Sequence, residues 1–169
     1  MFENIWSANL AVFGMILEES TDETIQDLCV EGFVLSIKIC GFFNMKTERN
    51  AFVSSFAQYT MVTPDRKIKQ KHINCILSLL ELATYQGNYL GESWFFVLQC
   101  ISKLDEMINF EPGHSIDRDF FDSDAPKQNR KDSSRQLKEQ NHQANCDLIA
   151  QSVSQEMLDS VFQNSLLLD

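Results

Sequence analysis

His72 and Cys75 stand three residues apart in an apolar helical pattern, a spacing that places a thiol and an imidazole on one helix face. An imidazole beside a thiol can take its proton and leave a thiolate nucleophile, which is the chemistry this pair could do. The plainer reading is a small thiol inside a helix with a histidine in solvent, and the surroundings favour it. The other two histidines, His114 and His142, lie in a polar stretch with little apolar framework to hold a pocket. There is no Gly-x-Ser-x-Gly elbow and no phosphate-cradling glycine loop ending in lysine; Gly87 to Gly91 lacks both that lysine and a preceding strand. Cys29, Cys40, Cys75, Cys100 and Cys146 are scattered, with no Cys-x-x-Cys pair. The acidic run Asp117, Asp119, Asp122, Asp124 lacks the glycine and closing glutamate of a calcium loop. No catalytic residue, cofactor or metal site is expected, and the thiols read as buried and reduced.

The best candidate for contact with a partner is the basic cluster Arg66, Lys67, Lys69 and Lys71. It stands out in a chain of net charge -10, whose overall sign repels phosphates and argues against nucleic-acid binding. Anionic lipid headgroups would attract such a cluster by about 1 kcal/mol per lysine near the surface. An acidic protein partner would suit it equally, and a solvated loop is the bland alternative. No apolar run approaches the roughly 20 residues that span a bilayer, so any membrane contact is expected to be peripheral. The first residues are acidic and amphipathic, unlike a secretory leader.

The elements that must position these residues read as helices. Phe2 to about Glu18 places Phe2, Ile5, Trp6, Val12, Phe13, Ile16 and Leu17 at three- and four-residue steps. Ser20 and Glu23 form a capping-box pattern before a second helix, which reaches about Cys40 with Ile25, Leu28, Cys29, Gly32, Leu35 and Ile39 on one stripe. Gly32 on that stripe predicts a close helix–helix approach, and Gly41 marks a break. Phe42 and Phe43 lie at an inter-helix turn, where covering the end of the core is the expected role and exposure of one of them the alternative. A third helix covers about Lys46 to Thr60, with Phe52, Val53 and Phe56 inward. Thr63-Pro64-Asp65 makes a turn. A fourth helix runs from about Lys69 to Gln86 with Ile73, Ile76, Leu77, Leu80 and Ala83 inward. Gly87 is placed to close it in the left-handed conformation, and Ser93 to cap a fifth helix whose inward residues are Trp94, Val97, Leu98, Ile101 and Leu104.

From Glu111 to Asp147 apolar residues nearly vanish, and such a segment cannot bury enough area to offset its ordering entropy. The organisation is therefore a helical segment over 1–110, a disordered polar insert over 111–147, and a truncated further repeat over 148–169 with a helix from Ile149 to Phe162. The fold class is all-α: antiparallel helix pairs at roughly the 40–47-residue spacing of HEAT and armadillo arrays, an α-solenoid segment.

Several motifs occur in a recognisable order: Leu28-Cys29-Val30-Glu31-Gly32, Ile37-Lys38-Ile39, Glu48-Arg49-Asn50-Ala51-Phe52-Val53, Lys69-Gln70-Lys71-His72-Ile73, Gly87-Asn88-Tyr89-Leu90, Ser93-Trp94 and Leu98-Gln99-Cys100-Ile101-Ser102. Together they resemble the large brefeldin A-inhibited guanine-nucleotide exchange factors for Arf GTPases, of the trans-Golgi type. The similarity is to the first homology region downstream of the exchange domain. It covers Met1 to Glu106 and returns over Val161-Phe162 to Leu167-Leu168-Asp169. His72 stands where the family usually has Asn.

The resemblance implies that exchange is performed by an upstream helical domain that inserts a glutamate toward the nucleotide site. Glu31, Glu48 and Glu81 inherit no such role. It implies a non-catalytic regulatory segment in Golgi vesicle-mediated transport that helps recruitment and responds to GTP-loaded Arf. The implied partners are a GTP-loaded Arf, other domains of the same protein and the Golgi membrane. The implied location is cytoplasmic, peripheral to trans-Golgi membranes. The alternative is a helical module that binds anionic membranes through the basic cluster alone.

Overall fold

A computed structural model describes residues 1–61, 67–109 and 130–166. The chain folds as α1 (Phe2–Glu19), α2 (Glu23–Phe42), α3 (Lys46–Gln58), α4 (Gln70–Leu90), a 3-10 turn (Gly91–Ser93), α5 (Trp94–Asn109), α6 (Arg130–Ser152) and α7 (Gln155–Ser165). Among the described residues there is no strand.

Two hydrogen bonds set the repeat. Asn74 Nδ2 donates to Asp27 Oδ1 at 2.7 Å across 47 residues. Tyr59 donates its hydroxyl to the Gly14 carbonyl at 3.0 Å across 45 residues. Toward its other end, α2 meets α4 again where Gly41 lies against Tyr89. Helices α2 and α4 therefore run parallel at the same step as α1 and α3, so α1–α2 and α3–α4 are successive copies of one antiparallel hairpin. Ser93, 43 residues beyond Asn50, hydrogen-bonds to it and carries the step on to α5. Helix α7 packs along α4. This is the expected all-α solenoid architecture.

The core centres on Phe33, whose ring meets Phe56 at 5.1 Å, Phe13 at 5.6 Å, Phe52 at 6.1 Å and Tyr59 at 6.3 Å. Phe33, Phe52 and Phe56 are fully buried, each contributing about 1.5–3 kcal/mol by leaving water. Ile73, Ile76, Leu80 and Ala83 of α4 are buried as expected.

Helix α2 departs from expectation. Its core face is Cys29, Val30, Phe33, Ile37 and Cys40, while Leu28 and Leu35 of the expected stripe point to solvent. Two apolar stripes share this helix, and periodicity alone does not say which one a neighbour covers. Ile5 and Val12 of α1 and Leu98 of α5 are likewise exposed. Gly32 does mark a close approach: a Cβ there would meet the Phe13 ring at 2.7 Å.

Helix ends differ too. Asp22, not Ser20, caps α2, accepting from Thr24 N at 2.9 Å and Ile25 N at 3.3 Å. Gly41 and Gly87 lie inside their helices, and the helices end after Phe42 and Leu90. Gly41 serves packing, since a Cβ there would sit 2.6 Å from Tyr89 Cβ. Among the described residues, those with positive φ are Asn44 (φ 54) and Gly91 (φ 50). Phe42 and Phe43 are both exposed rather than covering the core, and their rings meet edge to face at 5.2 Å.

The segment expected to be disordered, 111–147, is helical from Arg130 onward; residues 111–129, with His114 and the Asp117–Asp124 run, lie outside the described residues. The Lys, Arg, Gln and Glu of 130–143 are good helix formers. The helix is anchored where Asn145 Oδ1 accepts from Ile68 N at 2.8 Å and Cys146 Sγ donates to the Met107 carbonyl at 3.0 Å. The single helix expected over 149–162 is interrupted at Val153–Ser154, where the Ser154 hydroxyl caps α7 by accepting from Met157 N.

Candidate interaction surface

Because the hairpins stack in parallel, the α1–α2 and α3–α4 connections share one edge of the stack, and the α2–α3 and α4–α5 connections share the other. The basic cluster falls on the first edge. Lys67 and Lys69 are exposed there, while Arg66 lies outside the described residues. Lys71 is half-buried, and its ammonium donates to the carbonyls of Leu17 and Glu18 at the end of α1. Those carbonyls lack helical partners and carry the negative end of the helix dipole, so this lysine staples one repeat to the next. Of the described members of the cluster, Lys67 and Lys69 are thus exposed and Lys71 is structural.

The thiol and imidazole of Cys75 and His72 are put to different uses. Cys75 is fully buried, and burial pushes its thiol up to about 12, with the Lys71 charge opposing and that of Asp27 adding to the rise. A thiol held there supplies almost no thiolate at neutral pH. His72 Nδ1 accepts from Lys69 N at 3.0 Å and so helps cap α4. Burial likewise pushes Cys40 and Cys100 up to about 11. Among the described residues, no three His, Cys, Asp or Glu side chains come together as metal ligands, and no helix is long and apolar enough to cross a membrane.

The opposite edge carries aromatic side chains: Phe42, Phe43, Tyr89 and Phe95 are all exposed. It also holds a polar node that sequence reasoning missed. Arg49, only 6% exposed, donates from Nη1 to the Tyr89 carbonyl at 2.9 Å and from Nε and Nη2 to Asn50 Oδ1 at 3.3 and 3.2 Å. The Ser93 hydroxyl donates to the same Asn50 oxygen at 2.7 Å, so it is turned toward α3 rather than capping α5. Trp94 Nε1 donates to the Gly87 carbonyl at 2.9 Å, bridging the kink at Gln86. Gly91 takes φ 50, ψ -127, a conformation other residues strongly avoid, and Arg49 Nη2 lies 2.9 Å from where its Cβ would be. The signal in the sequence was Arg49 itself, a charge at helical spacing with Phe52, Val53 and Phe56.

Between α2 and α4 an open groove of about 390 Å³ has Val30, Val34 and Leu77 on its floor and Asp27, Glu31 and Glu81 on its rim. The described residues therefore include a basic edge, an aromatic edge and an acidic groove.

Stacked hairpins at a 45–47-residue step, with surface rather than a reactive thiol on offer, define a helical-repeat segment. No family model matches the chain, and no solved structure matches it. Its sequence is 37% identical over 139 residues to brefeldin A-inhibited guanine nucleotide-exchange protein 2 of Arabidopsis thaliana, covering 82% of this chain and 8% of that protein. It is 39% identical over 108 residues to brefeldin A-inhibited guanine nucleotide-exchange protein 1 of Homo sapiens, covering 62% of this chain and 6% of that protein. Over these residues the chain belongs to the family of brefeldin A-inhibited guanine nucleotide-exchange proteins. It spans less than a tenth of the length of these curated relatives.

Proposed function

We propose that the chain is a non-catalytic, regulatory segment of an Arf guanine-nucleotide exchange factor, acting in Golgi vesicle-mediated transport. In this reading it responds to GTP-loaded Arf, contacts other domains of the same protein, and helps hold that protein at the cytoplasmic face of trans-Golgi membranes. The observation that carries the reading is the 37% identity over 139 residues to an exchange protein of this family. The buried Cys75 supports it, because the most reactive-looking pair in the sequence is used for packing and capping. Broad exposed faces on a rigid stack suit the coupling of domains.

The test is flotation of the purified chain with liposomes carrying Arf. More chain should float with GTP-loaded than with GDP-loaded Arf, and equal flotation would remove the direct response to Arf.

The exposure of Lys67 and Lys69 favours a second reading, direct binding to anionic lipid. Substituting Lys67→Glu and Lys69→Glu should then abolish flotation with anionic liposomes in the absence of Arf. Unchanged flotation refutes that reading. Lys71 is left intact in this test because it staples α1 to α4.

A further inference from the structure

We propose that the groove between α2 and α4 is a docking site for a cationic amphipathic helix, a partner segment with an apolar seam and Lys or Arg along both flanks. The inference does not depend on the response to Arf.

The groove measures about 390 Å³, and its floor is Val30, Val34 and Leu77. Val30 is 6% exposed while Val34 and Leu77 are half-buried, so the floor is apolar surface that solvent reaches. Val30 and Val34 stand one helical turn apart, the spacing that receives the i, i+4 anchors of a docked helix. Both walls are helices, whose backbone groups are bonded internally, so neither offers a free edge to an added strand. A third helix laid between two parallel ones fits ordinary ridge-and-groove packing.

The rim sets the charge of the occupant. The hydrogen bond between Asn74 and Asp27 places those two residues level across the groove. Glu31 follows one turn along α2 and Glu81 two turns along α4, so carboxylates stand on both walls. Asp27, Glu31 and Glu81 are all exposed, and among the described residues no Lys or Arg lines the groove. The single cation of α2, Lys38, lies a turn beyond Val34. Among the described residues, neither Glu31 nor Glu81 forms an ion pair. Like charges gathered around an apolar floor repel one another, and cations seated beside them replace that repulsion with attraction. The same rim turns away anionic lipid headgroups and nucleic-acid phosphates, which leaves a basic protein segment as the occupant.

Fluorescence anisotropy with a labelled synthetic peptide tests this. The probe is an amphipathic helix of about 18 residues with Leu at i, i+3, i+4 and i+7 and Lys on both flanks; the control peptide carries Glu in place of every Lys. At about 0.15 M salt the Lys peptide should bind the 169-residue chain saturably, and the Glu peptide at least about ten-fold more weakly. Glu31→Gln with Glu81→Gln should weaken binding of the Lys peptide about five-fold or more. Glu3→Gln with Glu156→Gln removes the same charge elsewhere and should change it less than about two-fold. Ser78→Phe fills the groove at a half-buried position without removing a packed apolar side chain, and should weaken binding about ten-fold. It carries the test alone should the glutamate variant lose its helical circular dichroism.

Equal weakening by the groove pair and the remote pair would show attraction to net charge alone and overturns the inference. Absence of saturable binding, or binding that Ser78→Phe leaves unchanged, overturns it too. A doubled mass by light scattering that Ser78→Phe returns to the monomer assigns the groove to a second copy, with the same consequence. So does flotation with anionic liposomes that Ser78→Phe abolishes, which assigns it to lipid.

Discussion

Arg49→Met separates two opposing electrostatic effects at the joint between α4 and α5. The guanidinium is 6% exposed, and among the contacts described it meets carbonyl and amide oxygens rather than a carboxylate. Burying a cation in this way is costly, and replacing buried charge with apolar volume can stabilise a protein. Against that stands the Tyr89 carbonyl, which would lose its 2.9 Å donor, and Asn50 Oδ1, which would lose the guanidinium and keep the Ser93 hydroxyl. Leaving a buried acceptor unsatisfied costs about 1–3 kcal/mol, and a hydrogen bond to a charged donor contributes about 1.5–3 kcal/mol. Guanidinium is also weakly hydrated, which lowers the desolvation penalty.

Methionine keeps most of the side-chain volume, so little cavity term enters. The lost hydrogen bonds should therefore win, and Arg49→Met should destabilise by about 2 kcal/mol. In a chain of this size that lowers Tm by roughly 4–8 °C. Urea unfolding followed by circular dichroism measures the first quantity, and hydrogen exchange at 87–94 shows whether the loss is centred on the joint. A variant as stable as the parent, or more stable, would show that desolvation dominates and would refute the reasoning. A cycle with Gly91→Ala adds a second check. Its Cβ would lie 2.9 Å from Arg49 Nη2, so the substitution should cost less in the Arg49→Met background, retaining only the strain of φ 50.

Other outcomes follow from the packing and titration. Phe33→Ala, at the centre of the aromatic cluster, should cost about 3–5 kcal/mol by urea unfolding. Asp22→Ala should cost about 1 kcal/mol, and Ser20→Ala less, if Asp22 is the cap of α2. Stability should fall as pH rises from about 9 toward 12: Cys40, Cys75 and Cys100 start from an ordinary value of 9.0 and are raised to about 11, 12 and 11, so the folded state holds their protons while the unfolded state releases them. Native alkylation at pH 8 should spare Cys75 and Cys100, with rapid modification of either contradicting their burial.

The helices and their repeat were legible because apolar residues recur at three- and four-residue steps and the helix pairs recur at solenoid spacing. What escaped was competition between equal local signals. Helix α2 carries apolar residues on two faces, and only the placement of α3 and α4 decides that Phe33 is buried and Leu35 is not. Ser20 and Asp22 both suit a cap, and Asp22 lies where the Thr24 and Ile25 amides point. Gly87 and Gly91 are four residues apart, and the helix passes the first to end at the second. Helix α6 was hidden because its composition is polar, although its residues favour helix and Asn145 and Cys146 tie it to the stack. Of the basic cluster, the sequence showed the charges but not that Lys71 reaches 54 residues back to Leu17.

The most direct test of the regulatory reading is nucleotide exchange by the longer protein, with and without this segment, on liposomes preloaded with GTP-bound Arf. Removal should abolish the stimulation that membrane-bound GTP-loaded Arf gives while leaving basal exchange on soluble Arf within about two-fold, as expected when a coupling term is lost and the exchange site is not. Stimulation that survives removal of the segment, or basal exchange that disappears with it, would contradict the reading.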